Sequence, residues 1–120
     1  MIAQVETKTY TAQEYLEVEV NSLDRHEFIN GEIILMAGGT PDHNEIALNL
    51  GGALKLALKG KPYRTFSSDQ RLWIPQLNNY TYPDLMVVAK PIELQSGRTD
   101  TITNPLLIAE VLSKGTRAYD

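Results

Sequence analysis

Apolar positions along this chain change period several times, and each change marks an element. Thr11-Ala-Gln-Glu14 places a hydroxyl three residues before a glutamate, the signature of a capping box, and predicts a short helix over 12–20. Tyr15, Leu16 and Val20 form its expected apolar stripe. From His26 to Met36, two β-prone runs flank Asn30-Gly31, and both turn residues tolerate positive φ, so a tight hairpin is expected. A Gly-containing loop over 37–40 leads to Thr40-Pro41, a helix N-cap followed by proline at the first helical position. Ile46, Ala47, Leu50, Ala53, Leu54, Ala57 and Leu58 then recur at steps of one, three or four, a wide face suited to cover a sheet. Gly51-Gly52 lies inside that helix at a cost of roughly 1 kcal/mol per Gly against Ala, which close packing against another backbone would justify. Gly60 is the expected C-cap and Pro62 the stop.

Beyond Pro62 the period shortens. Strands are expected at Tyr63 to Ser67, Gln70 to Ile74 and Tyr82 to Ala89, and a polar loop from Pro91 to Asn104. Leu106 to Leu112 is a nearly continuous apolar run with one Glu, which suits a central strand covered on both faces. Ser113 to Asp120 reads as the entry to another helix. Helix, hairpin, helix, strands, loop and strand together predict an α+β (mixed α/β) domain built around one sheet.

Composition narrows the function without choosing it. A chain of 120 residues predicts one domain. The absence of cysteine excludes disulfides and thiolate metal sites. No basic-then-apolar leader and no membrane-length apolar run appears, so a cytoplasmic protein is expected. The net charge of −4 argues against a general nucleic-acid binder. It is compatible with a metal-dependent nuclease, whose carboxylates inflate the acidic count and whose ion reverses the local sign. Lys55, Lys59, Lys61 and Arg64 form a loose basic group that reads as a solvated helix end.

Two carboxylates carry the candidate chemistry. Asp84 follows Pro83 at the head of Leu-Met-Val-Val, and Glu110 interrupts Leu-Leu-Ile-Ala-Glu-Val-Leu. A carboxylate in such a run is costly to bury without a partner, and a divalent cation is one such partner. If the two strands are adjacent, one ion can bridge both and supply a water nucleophile for phosphodiester hydrolysis. A salt bridge or a capping role is the plainer alternative for each residue. A two-carboxylate glycosidase would need a sugar cleft that nothing in the sequence supplies.

Several blocks carry a family resemblance: His26 to Met36, His43-Asn44, Ser67-Ser-Asp-Gln-Arg-Leu72, Tyr82-Pro-Asp-Leu-Met-Val-Val88, Asn104 to Ser113, and Tyr119-Asp120. In that order they resemble the Uma-type putative restriction endonuclease family of the PD-(D/E)XK nuclease superfamily. The resemblance implies a restriction-endonuclease-like core, a mixed sheet flanked by helices, with Mg²⁺ (or Mn²⁺) held by Asp84 and Glu110 and DNA as substrate. It implies Glu32 as an additional catalytic acid just past the hairpin turn, where an exposed hairpin carboxylate is the alternative. Glu27, across the turn, is expected to be plain surface. His43, near a helix N-terminus, and Asp69, in a turn, are candidates for supporting the site; a satisfied structural histidine and a simple turn residue are the alternatives.

The superfamily lysine two residues after the glutamate is replaced by Leu112. Lys114 has the right parity, but four strand residues from Glu110 span roughly 13 Å. The family pattern places this lysine in a helix after Tyr-Asp, and family members run further, so a C-terminally shortened domain missing its last helix and strands is expected. A homodimer, and a non-catalytic self-associating form, follow as expectations.

Overall fold

The computed structural model describes residues 8–112, arranged as two helices and eight strands. The fold is mixed α+β, but its strands divide between two sheets instead of one. A five-stranded sheet runs in the order β2-β1-β5-β4-β7 and a three-stranded sheet in the order β3-β6-β8.

Helix α1 spans Ala12–Val20, and both halves of the capping box form between Thr11 and Glu14. Its buried face is Tyr15, Leu16 and Glu19, while Val20 is exposed. The expected stripe is therefore corrected at one position. A carboxylate occupies the core-facing turn because tyrosine hydroxyls and a backbone N–H satisfy it there. Tyr15 stacks on Phe28 and Tyr80 at ring-centroid distances of 5.3 and 5.0 Å, anchoring α1 to the five-stranded sheet.

Strands β1 (His26–Ile29) and β2 (Glu32–Leu35) form the hairpin, with Asn30 and Gly31 at φ +52° and +80°. Register pairs Glu27 with Ile34 and Ile29 with Glu32, so both glutamates lie on the face opposite Phe28 and Ile33. Strand β4 (Arg71–Ile74) pairs antiparallel with β5 (Asn79–Thr81) and parallel with β7 (Thr101–Ile102). Neither β5 nor β7 was expected, and β7 falls inside the stretch read as loop. Their two or three residues are too short for a periodic signal; β5 is held between its hairpin partner β4 and the distant β1, and β7 by β4.

Helix α2 (Pro41–Ala57) begins at the predicted N-cap and proline, with the Thr40 hydroxyl accepting the His43 N–H at 3.2 Å. Its C-cap is Leu58, and Gly60 takes a positive φ two residues later. The helix uses a narrower face than the sequence implied. His43, Ala47, Gly51, Leu54 and Leu58 turn inward, whereas Ile46, Leu48, Leu50 and Leu56 are exposed. Gly51 is the contact point: a Cβ there would stand 3.1 Å from Leu85 Cδ2. The close neighbour is thus a side chain and not another backbone.

Strands β3 (Tyr63–Ser67), β6 (Leu85–Ala89) and β8 (Pro105–Ala109) make the second sheet. β6 is its buried centre, and Met86 and Val88 pack with Leu72 and Ile102 of the other sheet. The reading of Leu106 to Leu112 as a central, doubly covered strand is corrected. β8 is an edge strand among the described residues, and Leu106, Leu107 and Ile108 are 60, 49 and 41 % exposed. Nothing in an apolar run of this length separates an edge strand from a central one.

Candidate active site

The backbone brings Asp84 and Glu110 together from residues 26 apart in sequence. Tyr82 and Pro83 are buried, and the chain bends at Asp84 before β6 begins. β6 and β8 pair antiparallel with Leu85 opposite Ala109, so Asp84 and Glu110 face one another one step beyond the ladder. The Val111 N–H donates to Asp84 Oδ2 at 2.7 Å, which fixes that facing. His43 Nε2 stands 3.1 Å from the same oxygen. The first turn of α2 therefore meets the entry of β6 through one histidine–carboxylate contact. Gly39 allows it, because a Cβ there would lie 2.7 Å from His43 Nδ1 and 2.8 Å from Asn44 Oδ1.

The electrostatics of this pair are strained. Glu110 is raised to about 7. Loss of water around the carboxyl is the largest cause; the charge of Asp84 and a hydrogen bond with its side chain add to it. The Asp84 backbone works the other way, and the charge of Glu27 adds a further push upward. Glu110 as a whole residue is exposed, so the desolvation is local to its carboxyl end and solvent moderates it. Two carboxylates that resist joint ionisation are a recurring mark of functional sites. A hollow of about 600 Å³ opens beside Asp84 and His43, lined also by Ser67, Ser68 and Lys55.

The remaining candidates sit further out. Glu32 is exposed at the start of β2, and no hydrogen bond among the described residues ties it to the pair. Asp69 is exposed in the turn that the Gln70 N–H closes on the Ser67 carbonyl at 3.2 Å. Lys114 and the expected final helix lie outside the described residues. Glu27, read as plain surface, is instead half-buried; its carboxylate accepts the Thr81 hydroxyl and its charge reaches Glu110. Strand parity puts Glu27 and Glu32 on one face, but only contact with β5 distinguishes which is nearer the pair.

Among the described residues no three His, Asp or Glu side chains converge as a ready ligand set. The donors present are two carboxylates. Oxygen donors of this number suit Mg²⁺ or Mn²⁺, which retain most of their waters, and a cation would offset the Asp84 charge that adds to the upward shift of Glu110.

A family model described as a putative restriction endonuclease, Uma2, matches residues 12–120. The chain belongs to the Uma2 family. This Uma2 chain is 42 % identical over 120 residues to the uncharacterized protein sll1609 of Synechocystis sp., covering all of the chain and 68 % of that relative. It is 37 % identical over 108 residues to the uncharacterized protein slr1290 of the same organism, covering 90 % of the chain and 56 % of that relative. Its fold matches a crystal structure from Anabaena variabilis, titled a putative nuclease belonging to DUF820, with a TM-score of 0.70 and 20 % identity. That match covers 91 % of the Uma2 chain and 63 % of the Anabaena protein, and at this identity it speaks for the fold alone. The Uma2 chain thus spans 56 to 68 % of the length of these proteins.

Proposed function

We propose that this chain carries the centre of a Mg²⁺- or Mn²⁺-dependent DNA endonuclease that hydrolyses phosphodiester bonds. The observation that carries the reading is the opposition of Asp84 and Glu110 across the β6–β8 register, with the Glu110 carboxyl pushed up to about 7. Asp84 and Glu110 would hold the cation, which when bound neutralises phosphate charge and lowers the pKa of a water. The Val111 N–H fixes the Asp84 carboxylate and leaves Glu110 as the more adaptable oxygen donor. His43 orients Asp84 from the side of α2. Glu27 is the nearer additional acid and Glu32 the more exposed one. Leu112 supplies no lysine, so Lys114 is the next candidate for a cation beside the phosphate.

Calorimetric titration with Mn²⁺ is expected to show binding that Asp84→Asn and Glu110→Gln each abolish. The same variants are expected to lose nicking of supercoiled plasmid. Nicking that survives both substitutions overturns the assignment.

A second reading, a non-catalytic domain that associates with itself, rests on the exposed leucines of β8 and α2. Sedimentation showing a dimer, with metal uptake and no nicking, selects it. A catalytic homodimer would show both association and nicking.

A further inference from the structure

Five of the chain's 11 Lys and Arg residues line one groove at β3, an edge strand among the described residues. Lys55 and Lys59 come from the end of α2 and the turn after it, Lys61 from the connection to β3, Arg64 from β3, and Lys90 from the end of β6. The register explains the meeting of distant residues: Arg64 opposes Val88 and Tyr63 opposes Ala89, so Lys90 emerges beside the start of β3. All five are exposed, and no carboxylate among the described residues lines the groove. The ion pairs formed among the described residues all lie elsewhere, at Glu19, Asp84 and Asp100. Like charges gathered without counter-charge, on a chain of net charge −4, create a local positive field opposite in sign to the whole.

The groove is continuous with the hollow beside Asp84. Lys55, Thr65 and Phe66 line both. β3 joins the two ends: Ser67 pairs with Leu85, next to Asp84, and Tyr63 pairs with Ala89, next to Lys90. Those four strand steps cover roughly 13 Å. At 3.4 Å per step of one nucleic-acid strand, that is about four nucleotides.

We infer that this groove binds the phosphodiester backbone of DNA, about four nucleotides to one side of the carboxylate pair. The inference rests on the nuclease reading for the identity of the polyanion, but not on cleavage. Arg64 is already placed over the Phe66 ring, with its Cζ 5.0 Å from the centroid, so the guanidinium is held at the groove in a set direction. The five side chains bind by charge and so contribute affinity without sequence preference.

Binding of a labelled 20-base-pair duplex in EDTA, followed by anisotropy across a salt series, tests this. A slope of log K against log salt of about −4 is expected for the unaltered chain, at roughly −0.9 per phosphate neutralised. Lys59→Gln combined with Arg64→Gln is expected to reduce the slope by about two. Lys61→Gln combined with Lys90→Gln should do the same through different residues, which guards against a folding defect in either variant. Lys8→Gln, outside the groove, is expected to leave the slope unchanged. Equal slopes in all four proteins overturn the inference, as does tighter retention by phosphatidylserine vesicles than by duplex. Salt-dependent binding that both double variants weaken, without nicking in Mg²⁺ or Mn²⁺, leaves the groove standing and removes the nuclease reading. Nicking with unaltered slopes does the reverse.

Discussion

Glu19 and Glu110 are both carboxylates that lose water in the fold, and the protein treats them in opposite ways. Glu19 is 7 % exposed on α1. Burial alone would push its carboxyl up. The His26 backbone N–H, the His26 ring and the Tyr15 and Tyr82 hydroxyls outweigh that push and hold it below the usual value. Tyr82 in turn accepts from Arg71 Nε, and Arg71 reaches Thr101 and Asp100, so one polar chain runs from α1 through β4 to β7. Among the described residues Glu110 has no such company. Its principal neighbour is another carboxylate, and its carboxyl is pushed up to about 7. A buried charge with every partner supplied joins elements together; an acid set against a second acid has its charged form opposed by its neighbour.

The comparison breaks most visibly at Glu19. Glu19→Ala leaves two hydroxyls and a backbone N–H facing an emptied site and is expected to cost about 3 kcal/mol in urea unfolding. Tyr82→Phe removes one link on each side and should cost about 1–2 kcal/mol. Gly31→Ala, a reference outside both regions, should cost about 1 kcal/mol, because residue 31 sits at φ +80° and a Cβ would lie 3.3 Å from Thr9. Glu110→Gln should leave stability unchanged or raise it by less than about 1 kcal/mol, since solvent screens this exposed residue. A loss of more than about 2 kcal/mol at Glu110 would show that it is a structural acid like Glu19.

Acid sharpens the contrast further. The folded-state pKa of Glu19 is lowered, so its stabilisation is complete above the unfolded carboxylate value of 4.5 and is lost as pH falls through the lower folded value. Asp100, lowered to about 2 chiefly by its hydrogen bond from Arg98, loses its contribution between 3.8 and about 2. Tyr82→Phe should therefore shift acid unfolding, read by circular dichroism, to higher pH. An unchanged midpoint would mean that Tyr82 does not hold the Glu19 carboxylate.

The sequence announces some of these regions plainly and hides others. Thr11 with Glu14, Asn30-Gly31 and Thr40-Pro41 act within a few residues, so α1, the hairpin and the start of α2 are legible from local chemistry. Strands β5 and β7 are not, because Tyr80 and Ile102 owe their strand conformation to partners in β4 and β1. Asp84 and Glu110 attract notice as acids in apolar runs, and pairing of β6 with β8 brings them face to face. Glu27 and Lys90 escape notice because each matters through residues more than 20 positions away: Thr81 for one, Arg64 for the other. The buried role of Glu19 is also illegible, since a Glu on a short helix ordinarily faces water.

The irregularity between β6 and β8 has a consequence for how this protein can change. Val87 pairs with Leu107 but Val88 pairs with Pro105, so Leu106 is an extra residue bulged from β8. That one residue is a surplus in the ladder, skipped by the pairs on either side of it. Loss of a single codon at Leu106 would let β8 pair without interruption, from Pro105 opposite Val88 to Ala109 opposite Leu85, and would leave Glu110 opposite Asp84. Strand and acid pair would both survive, so the bulge is a spare residue that lets β8 lose one amino acid without losing the opposition of Asp84 and Glu110.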